Sequence, residues 1–72
     1  MTEEERYLIS LGDNIKKLRI KSGISQKDLA HACDFETPNM RRIEAGKTNP
    51  TTKTLFKIAK ALNTTIITLF DF

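Results

Sequence analysis

Apolar residues recur at intervals of three and four positions along most of this chain, which is the spacing of one face of an α-helix. Thr2, followed three positions later by Glu5, predicts a capping box at the start of the first helix. Gly23 is the expected end of this helix, because glycine adopts the left-handed conformation without steric cost. The apolar stripe between these two ends comprises Leu8, Leu11, Ile15 and Leu18.

Two short helices are predicted next, over about residues 25–33 and 37–45, with a turn at residues 34–36 between them. Ser25 is the expected N-cap of the second helix, and Gly46 closes the third. Small residues in the apolar stripe of the second helix permit a close crossing with its neighbour. That stripe is Leu29, Ala30 and Cys33.

The start of the third helix is open to two interpretations. Either Thr37 is the cap and Pro38 the first helical residue, or Glu36 is the cap and Phe35 packs on Met40 as a hydrophobic staple. In both registers Met40 and Ile43 face inward. The residues left facing outward are Asn39, Arg41 and Arg42.

A fourth helix is indicated by Asn49-Pro50 and a threonine cap at Thr51 or Thr52. Asn63 is its expected left-handed end, and a last short helix follows at roughly Thr65 to Phe70. The stripe of the fourth helix is Leu55, Ile58, Ala59 and Leu62. The whole pattern predicts one all-α domain over residues 1–72, made of five helices with short connections and no strands.

The distribution of charge indicates a polyanionic partner more clearly than the net charge of +3 does. Residues 14–60 hold eleven of the twelve basic residues and four acids, a surplus of seven positive charges. The first thirteen residues carry a net charge of −3. A concentrated basic segment is typical of nucleic-acid binding, although a solvated helical surface has the same composition.

The reactive residues present argue against an enzyme, a metal site or a cofactor. His31 and Cys33 lie two positions apart on one helix, so their side chains point in different directions. We expect Cys33 in the core and His31 at the surface. One cysteine and one histidine cannot form a usual zinc site or an internal disulfide. Because no signal peptide or membrane span can be read from the sequence, we expect a cytoplasmic protein. We also expect no small-molecule ligand.

Three segments together resemble the lambda-repressor-like, Cro-type helix-turn-helix proteins, also called the XRE family. They are LGDNIKKLRIKSGISQKDLA (11–30), IEAGKTNP (43–50) and TLFKIAKAL (54–62), and the resemblance covers about residues 8–70. It implies a compact lambda-repressor-like fold and a sequence-specific transcriptional regulator of double-stranded DNA, expected to act as a repressor. The second helix would lie across the DNA backbone while the third enters the major groove.

The resemblance also implies roles for individual residues. Arg42 would donate two hydrogen bonds to a guanine, and Asn39 would pair with an adenine. Gln26 would hold a DNA phosphate with its amide. The full set of expected base contacts is Thr37, Pro38, Asn39, Arg41 and Arg42. The full set of expected phosphate contacts is Ser25, Gln26, Lys47, Thr48 and Asn49.

Three residues in or next to the third helix are acidic or apolar and differ in their expected roles. Glu44 matches the family's near-signature acid, and we expect it to pair with a base such as Arg19. Pro38 stands where many relatives carry a hydrogen-bonding side chain, so it offers only apolar contact, for example to a thymine methyl group. Glu36 places a negative charge near the DNA backbone, where it either accepts from a cytosine or hinders non-specific binding.

The C-terminal tail holds more apolar residues than one short helix can bury, which favours a homodimer. Two recognition helices about 34 Å apart would give the selectivity that one lacks. The expected interface residues are Ile66, Ile67, Phe70 and Phe72. The alternative is that Ile66, Leu69 and Phe70 only cap the core. A second functional hypothesis is an antitoxin-like module that binds a protein such as a toxin; the outward Arg41 and Arg42 favour DNA instead.

Overall fold

The computed structural model describes all 72 residues and contains five α-helices and no strand. α1 packs against α3 and α5, α2 packs against α3 and α4, and α4 packs against α5. The predicted all-α, five-helix architecture is confirmed, and no helix has the length and apolar character to cross a membrane. The helices are α1 (Glu3–Lys21), α2 (Gln26–Ala32), α3 (Thr37–Glu44), α4 (Thr52–Ala61) and α5 (Ile66–Leu69).

Four of the five helices begin at a hydroxyl side chain that accepts a hydrogen bond from the first turn. At α1 the predicted capping box is present: Glu5 N–H donates to Thr2 Oγ1 at 3.1 Å, and Thr2 N–H donates to Glu5 Oε1 at 2.9 Å. The bond from Thr2 N–H to the Glu5 carboxylate, with a smaller contribution from the Thr2 hydroxyl, holds the pKa of this carboxyl below its usual value because it favours the charged form. The other hydroxyl caps are Ser25, Thr51 and Thr65.

The start of α3 follows the second of the two expected registers. Glu36 is the N-cap, although its side chain makes no capping hydrogen bond, and Thr37 is the first helical residue. Pro38 is tolerated in this first turn because the N–H groups there have no partner within the helix. The interpretation of Thr37 as the cap is therefore wrong. Phe35 and Met40 both join the core, as the staple requires.

Four residues between the helices adopt the left-handed conformation. The predicted ones are Gly23 and Gly46, both at φ 72°, and Asn63 at φ 57°. The fourth, Asp34 at φ 63°, was not predicted. It reverses the chain after α2 so that Phe35 N–H donates to Ala30 O at 2.8 Å. Aspartate is one of the few residues other than glycine that visits this conformation routinely.

One hydrophobic core of twelve buried residues receives side chains from all five helices. Gly12, buried in α1, lets the last turn of α3 approach closely, since a Cβ there would lie 2.6 Å from the Glu44 carbonyl oxygen. Between Leu8 and Leu18, which are half-buried, the stripe of α1 is fully buried. The core residues are Leu11, Ile15, Leu29, Ala30, Cys33, Met40, Ile43, Leu55, Ile58, Ala59, Leu62 and Leu69.

The short helix α5 is fastened to α1 by one side chain. The Asn14 amide donates to Thr68 O at 3.1 Å and to Leu69 O at 2.8 Å. These carbonyls lie at the end of α5, where helical carbonyls lack partners within the helix. Asn14 therefore fixes where the C-terminal tail lies on the body of the domain.

Candidate nucleic-acid interface

The unit formed by α2, the turn Cys33–Glu36 and α3 holds two short helices against each other. Leu29 and Ala30 of α2 and Met40 and Ile43 of α3 are all buried in the shared core. Because each helix turns one side to this core, its opposite side is left facing the solvent. The unit thus presents α3 as an exposed helix on a fixed support.

The outward side of α3 carries the five predicted base-contacting residues. Pro38, Arg41 and Arg42 are exposed, whereas Thr37 and Asn39 are half-buried at its edges. Neither arginine makes a hydrogen bond or ion pair with another side chain of the chain. Arg42 lies one helical turn after Pro38, so these two share a face. The donors of both guanidinium groups are therefore available to a partner.

Predicted phosphate-contacting residues lie at the start of α2 and in the loop after α3. Ser25 and Gln26 stand at the start of α2, where the Ser25 hydroxyl oxygen accepts from Asp28 N–H at 3.0 Å. The loop Lys47–Asn49 follows α3 directly. Lys47 and Asn49 are exposed and Thr48 is half-buried. The bond from Gln26 to Glu44, the last residue of α3, brings the first group to the end of α3 that the second group follows.

A buried carboxylate joins these elements. Arg19 Nε donates to Glu44 Oε2 at 2.7 Å and Arg19 Nη2 donates to Glu44 Oε1 at 3.1 Å, which confirms the expected pair. The side chains of Arg19 and Glu44 are 11% and 3% exposed, so water screens this ion pair little. Arg19 Nη1 also donates to Ile24 O at 2.9 Å. Gln26 Nε2 donates to Glu44 Oε1 at 3.0 Å, a bond that no sequence pattern predicted.

The surface charges around this unit are largely free. Only one further ion pair forms in the chain, between Lys17 and Asp13 at 3.1 Å, and both of its side chains are well exposed. Exposed pairs of this kind contribute little stability. The other exposed basic residues between positions 14 and 60 stay available to a polyanion.

The two reactive side chains lie in different surroundings. Cys33 is buried in the core, as expected, and His31 is exposed. Burial raises the pKa of the Cys33 thiol, and the positive charge of Lys57 opposes this only in part. No three histidine, cysteine or acidic side chains gather into a group able to hold a metal ion.

A second exposed surface lies on the C-terminal side of the domain. The α4–α5 groove, an open cleft of about 570 Å3, has Phe56 and Ile67 among its lining residues. Phe56 is 56% exposed and Ile67 is 82% exposed. Outside this groove, the Tyr7 ring lies 6.2 Å from that of Phe70 and 5.2 Å from that of Phe72, measured between ring centroids.

The four predicted interface residues of the tail are therefore divided. Ile66 and Phe70 pack partly against the core, as the core-capping interpretation expects, whereas Ile67 and Phe72 remain exposed. The tail accordingly has both a packing role and an apolar surface that the chain does not cover.

Comparison with known proteins places the chain among DNA-binding regulators. A family model described as helix-turn-helix matches residues 15–69. The chain is 36% identical over 73 residues to the control protein C.BamHI of Bacillus amyloliquefaciens, covering 100% of this chain and 88% of that protein. It is 30% identical over 63 residues to the HTH-type transcriptional regulator DdrOP3 of Deinococcus deserti, covering 88% of this chain but only 49% of the relative.

A solved structure agrees with both matches. The restriction-modification controller protein C.AhdI of Aeromonas hydrophila superimposes with a TM-score of 0.86 at 28% identity, covering 88% of this chain and 96% of that one. The α2–α3 unit thus has the same fold as the corresponding part of a known controller.

Proposed function

Because the chain belongs to the helix-turn-helix (XRE) family of DNA-binding transcriptional regulators and is not an enzyme, we propose that it represses transcription by placing α3 in the major groove as a homodimer. The observation that carries this proposal is the pair of exposed, unpaired guanidinium groups on α3, Arg41 and Arg42. Guanidinium groups donate two parallel hydrogen bonds to guanine in the major groove. Thr37, Pro38 and Asn39 complete the proposed base-contacting surface.

Phosphate contacts near the end of α3 would set its position in the groove. We assign them to Ser25 and Gln26 at the start of α2 and to Lys47, Thr48 and Asn49 after α3. Contacts of this kind carry no sequence information but fix register and orientation. They also make affinity fall steeply with salt, because bound cations are released from the DNA.

The proposed assembly is a dimer formed across the α4–α5 groove. Ile67 is 82% exposed in the isolated chain, and the exposed rings of Phe56 and Phe72 lie on the same C-terminal half. A second copy of the chain would cover this apolar surface and give a two-fold symmetric pair of recognition helices. Two nearly full-length matches to controller proteins support a controller-type role. We assign this role to the cytoplasm and to a palindromic site, because a two-fold symmetric dimer reads two symmetric half-sites.

The test of base recognition is selection of binding sites from a random DNA pool, followed by titration of variants on the selected site. We expect a two-fold symmetric site. Arg42→Ala should lose about 1–3 kcal/mol of binding free energy and relax preference at one base position. Arg6→Ala is the matched control, because it removes the same charge from the acidic start of α1. If wild type, Arg42→Ala and Arg6→Ala bound the selected site with equal affinity, the assignment of α3 as the base-contacting helix would be contradicted.

The test of the dimer is sedimentation of Ile67→Asp with Ile20→Asp as control. Both residues are exposed isoleucines, 82% and 58% respectively, so neither change should unfold the chain. Only Ile67→Asp should separate the dimer and weaken binding to the symmetric site. If wild type is already a monomer, or if no DNA sequence is enriched, the groove is better assigned to a different protein, such as the toxin of an antitoxin pair.

A further inference from the structure

The Gln26 side chain uses only one of its two amide hydrogens within the protein. Nε2 donates to Glu44 Oε1 at 3.0 Å, and no other hydrogen bond of this amide is present. Gln26 is half-buried, so the side chain lies at the edge between the core and the solvent. Because a primary amide carries two hydrogens in one plane, fixing one of them also fixes the direction of the other.

The acceptor of this bond is held rigidly. Glu44 accepts two hydrogen bonds from Arg19, at 2.7 and 3.1 Å, in a fork geometry that fixes the plane of the carboxylate. Arg19 is in turn anchored to the loop before α2 through Ile24 O at 2.9 Å. The bond from Gln26 therefore ends on a group that cannot rotate independently of α1, α3 and this loop.

The Arg19 charge also makes Glu44 compatible with a nearby anion. An unpaired buried carboxylate beside a phosphate would repel it, and little water is present to screen the repulsion. Two bonds to one guanidinium group offset the charge of Glu44, whose side chain is only 3% exposed. Gln26 can thus be oriented by a carboxylate without the electrostatic cost of placing a free negative charge at a DNA contact.

We propose that Glu44 and Arg19 are positioning residues for DNA binding, which hold Gln26 so that its second amide hydrogen donates to a phosphate oxygen. This inference rests on the proposed function. Because Glu44 ends α3 two residues after Arg42, the same bond fixes the distance between the phosphate contact and the base-contacting side chains. The side chain of Gln26 then loses little conformational freedom on binding, which strengthens a contact of given geometry.

The first experiment measures whether Gln26 contacts a phosphate. Each phosphate of the selected site is replaced in turn by an uncharged methylphosphonate, and affinities are compared for wild type and Gln26→Met. Methionine has nearly the same length but no donor. At one phosphate per half-site, wild type should lose about 10-fold or more in affinity, as for a hydrogen bond to a charged group, and Gln26→Met should lose much less.

The second experiment tests positioning by Glu44. The same comparison is repeated with Glu44→Met, alone and combined with Gln26→Met, because methionine, unlike glutamine, has no oxygen that could accept from Gln26. If Glu44 positions Gln26, the energetic coupling between residue 26 and that phosphate should shrink to about 2-fold. If Glu44 only stabilises the fold, affinity for every DNA falls equally and the coupling stays near its wild-type value. This second result would overturn the inference.

A third measurement needs no change at Glu44, whose removal from Arg19 can unfold the protein. The Gln26 side-chain amide is identified in the NMR spectrum of wild type by its absence from Gln26→Met. Addition of the selected DNA should shift one of the two amide protons strongly and leave the other, bonded to Glu44, nearly unchanged. Two unchanged protons would overturn the inference.

The experiments distinguish failure of the proposed function from failure of this inference alone. If wild type enriches no DNA sequence, the proposed function fails and this inference fails with it. If wild type binds a symmetric site selectively while Gln26 is coupled to none of its phosphates, only this inference is overturned.

Discussion

Two glycines with the same backbone conformation offer a direct test of how the domain is packed. Gly23 and Gly46 both have φ 72°, so alanine at either position meets the same left-handed penalty of about 1–2 kcal/mol. Part of this penalty is offset, by about 0.4–1 kcal/mol, because alanine restricts the unfolded chain more than glycine does. The backbone contribution alone therefore predicts a loss of about 1 kcal/mol at each position.

The surroundings of the two glycines differ. A Cβ at Gly23 would have no atom within 4 Å. A Cβ at Gly46 would lie 2.5 Å from Ile9 Cα and 2.8 Å from Ile9 N, which belong to the backbone of α1. A helix backbone cannot yield as the end of a flexible side chain can, so α1 must move away from the end of α3. Overpacking of this kind costs about 1–3 kcal/mol in addition.

We therefore expect Gly46→Ala to lose about 2–4 kcal/mol in the free energy of unfolding, and Gly23→Ala to lose about 1 kcal/mol. Urea unfolding followed by far-UV circular dichroism measures both. The protein concentration must be equal, since a dimer is more stable when concentrated. Melting temperature should fall by about 4–8 °C for each kcal/mol. Losses that agree to within about 0.5 kcal/mol would refute the assigned contact with α1.

Four further results are predicted from the same structure. Gly12→Ala would stabilise an isolated helix by about 1 kcal/mol, but in this protein it should lower the free energy of unfolding by about 1–3 kcal/mol, because α3 must shift. Urea unfolding and DNA titration of the same variant should show stability and DNA affinity falling together. Asp34→Gly should gain about 0.5 kcal/mol in urea unfolding, since it removes a left-handed aspartate; a loss would reveal a stabilising contact of the aspartate. Cys33 should be alkylated slowly when folded and quickly in urea, because the folded state raises its pKa. Stability should also fall as pH rises above the ordinary thiol pKa of 9.0, where the unfolded thiol ionises first; unchanged stability there would contradict this.

The sequence by itself determined the helices and most of their ends. Caps and left-handed ends such as Thr2 and Gly23 act within a single helical turn, so their signals are local and can be recognised in the chain. The apolar stripes are also local signals, because they depend only on the spacing of residues within one helix. All four stripe residues of α4 are buried, as the periodicity predicted. The resemblance to a known family then supplied the candidate DNA-binding residues and, as a structural feature, the Arg19–Glu44 pair that the structure contains.

The tertiary structure alone decided how these pieces are fixed together. The bond from Gln26 to Glu44 joins residues 18 positions apart, and Asn14 reaches carbonyls 54 and 55 positions away. A sequence pattern cannot indicate such contacts, because a polar side chain has many possible partners until the fold brings one within reach. The cap of α3 at Glu36 and the left-handed Asp34 were likewise settled in the folded chain, where Phe35, which lies between these two residues, packs against the core.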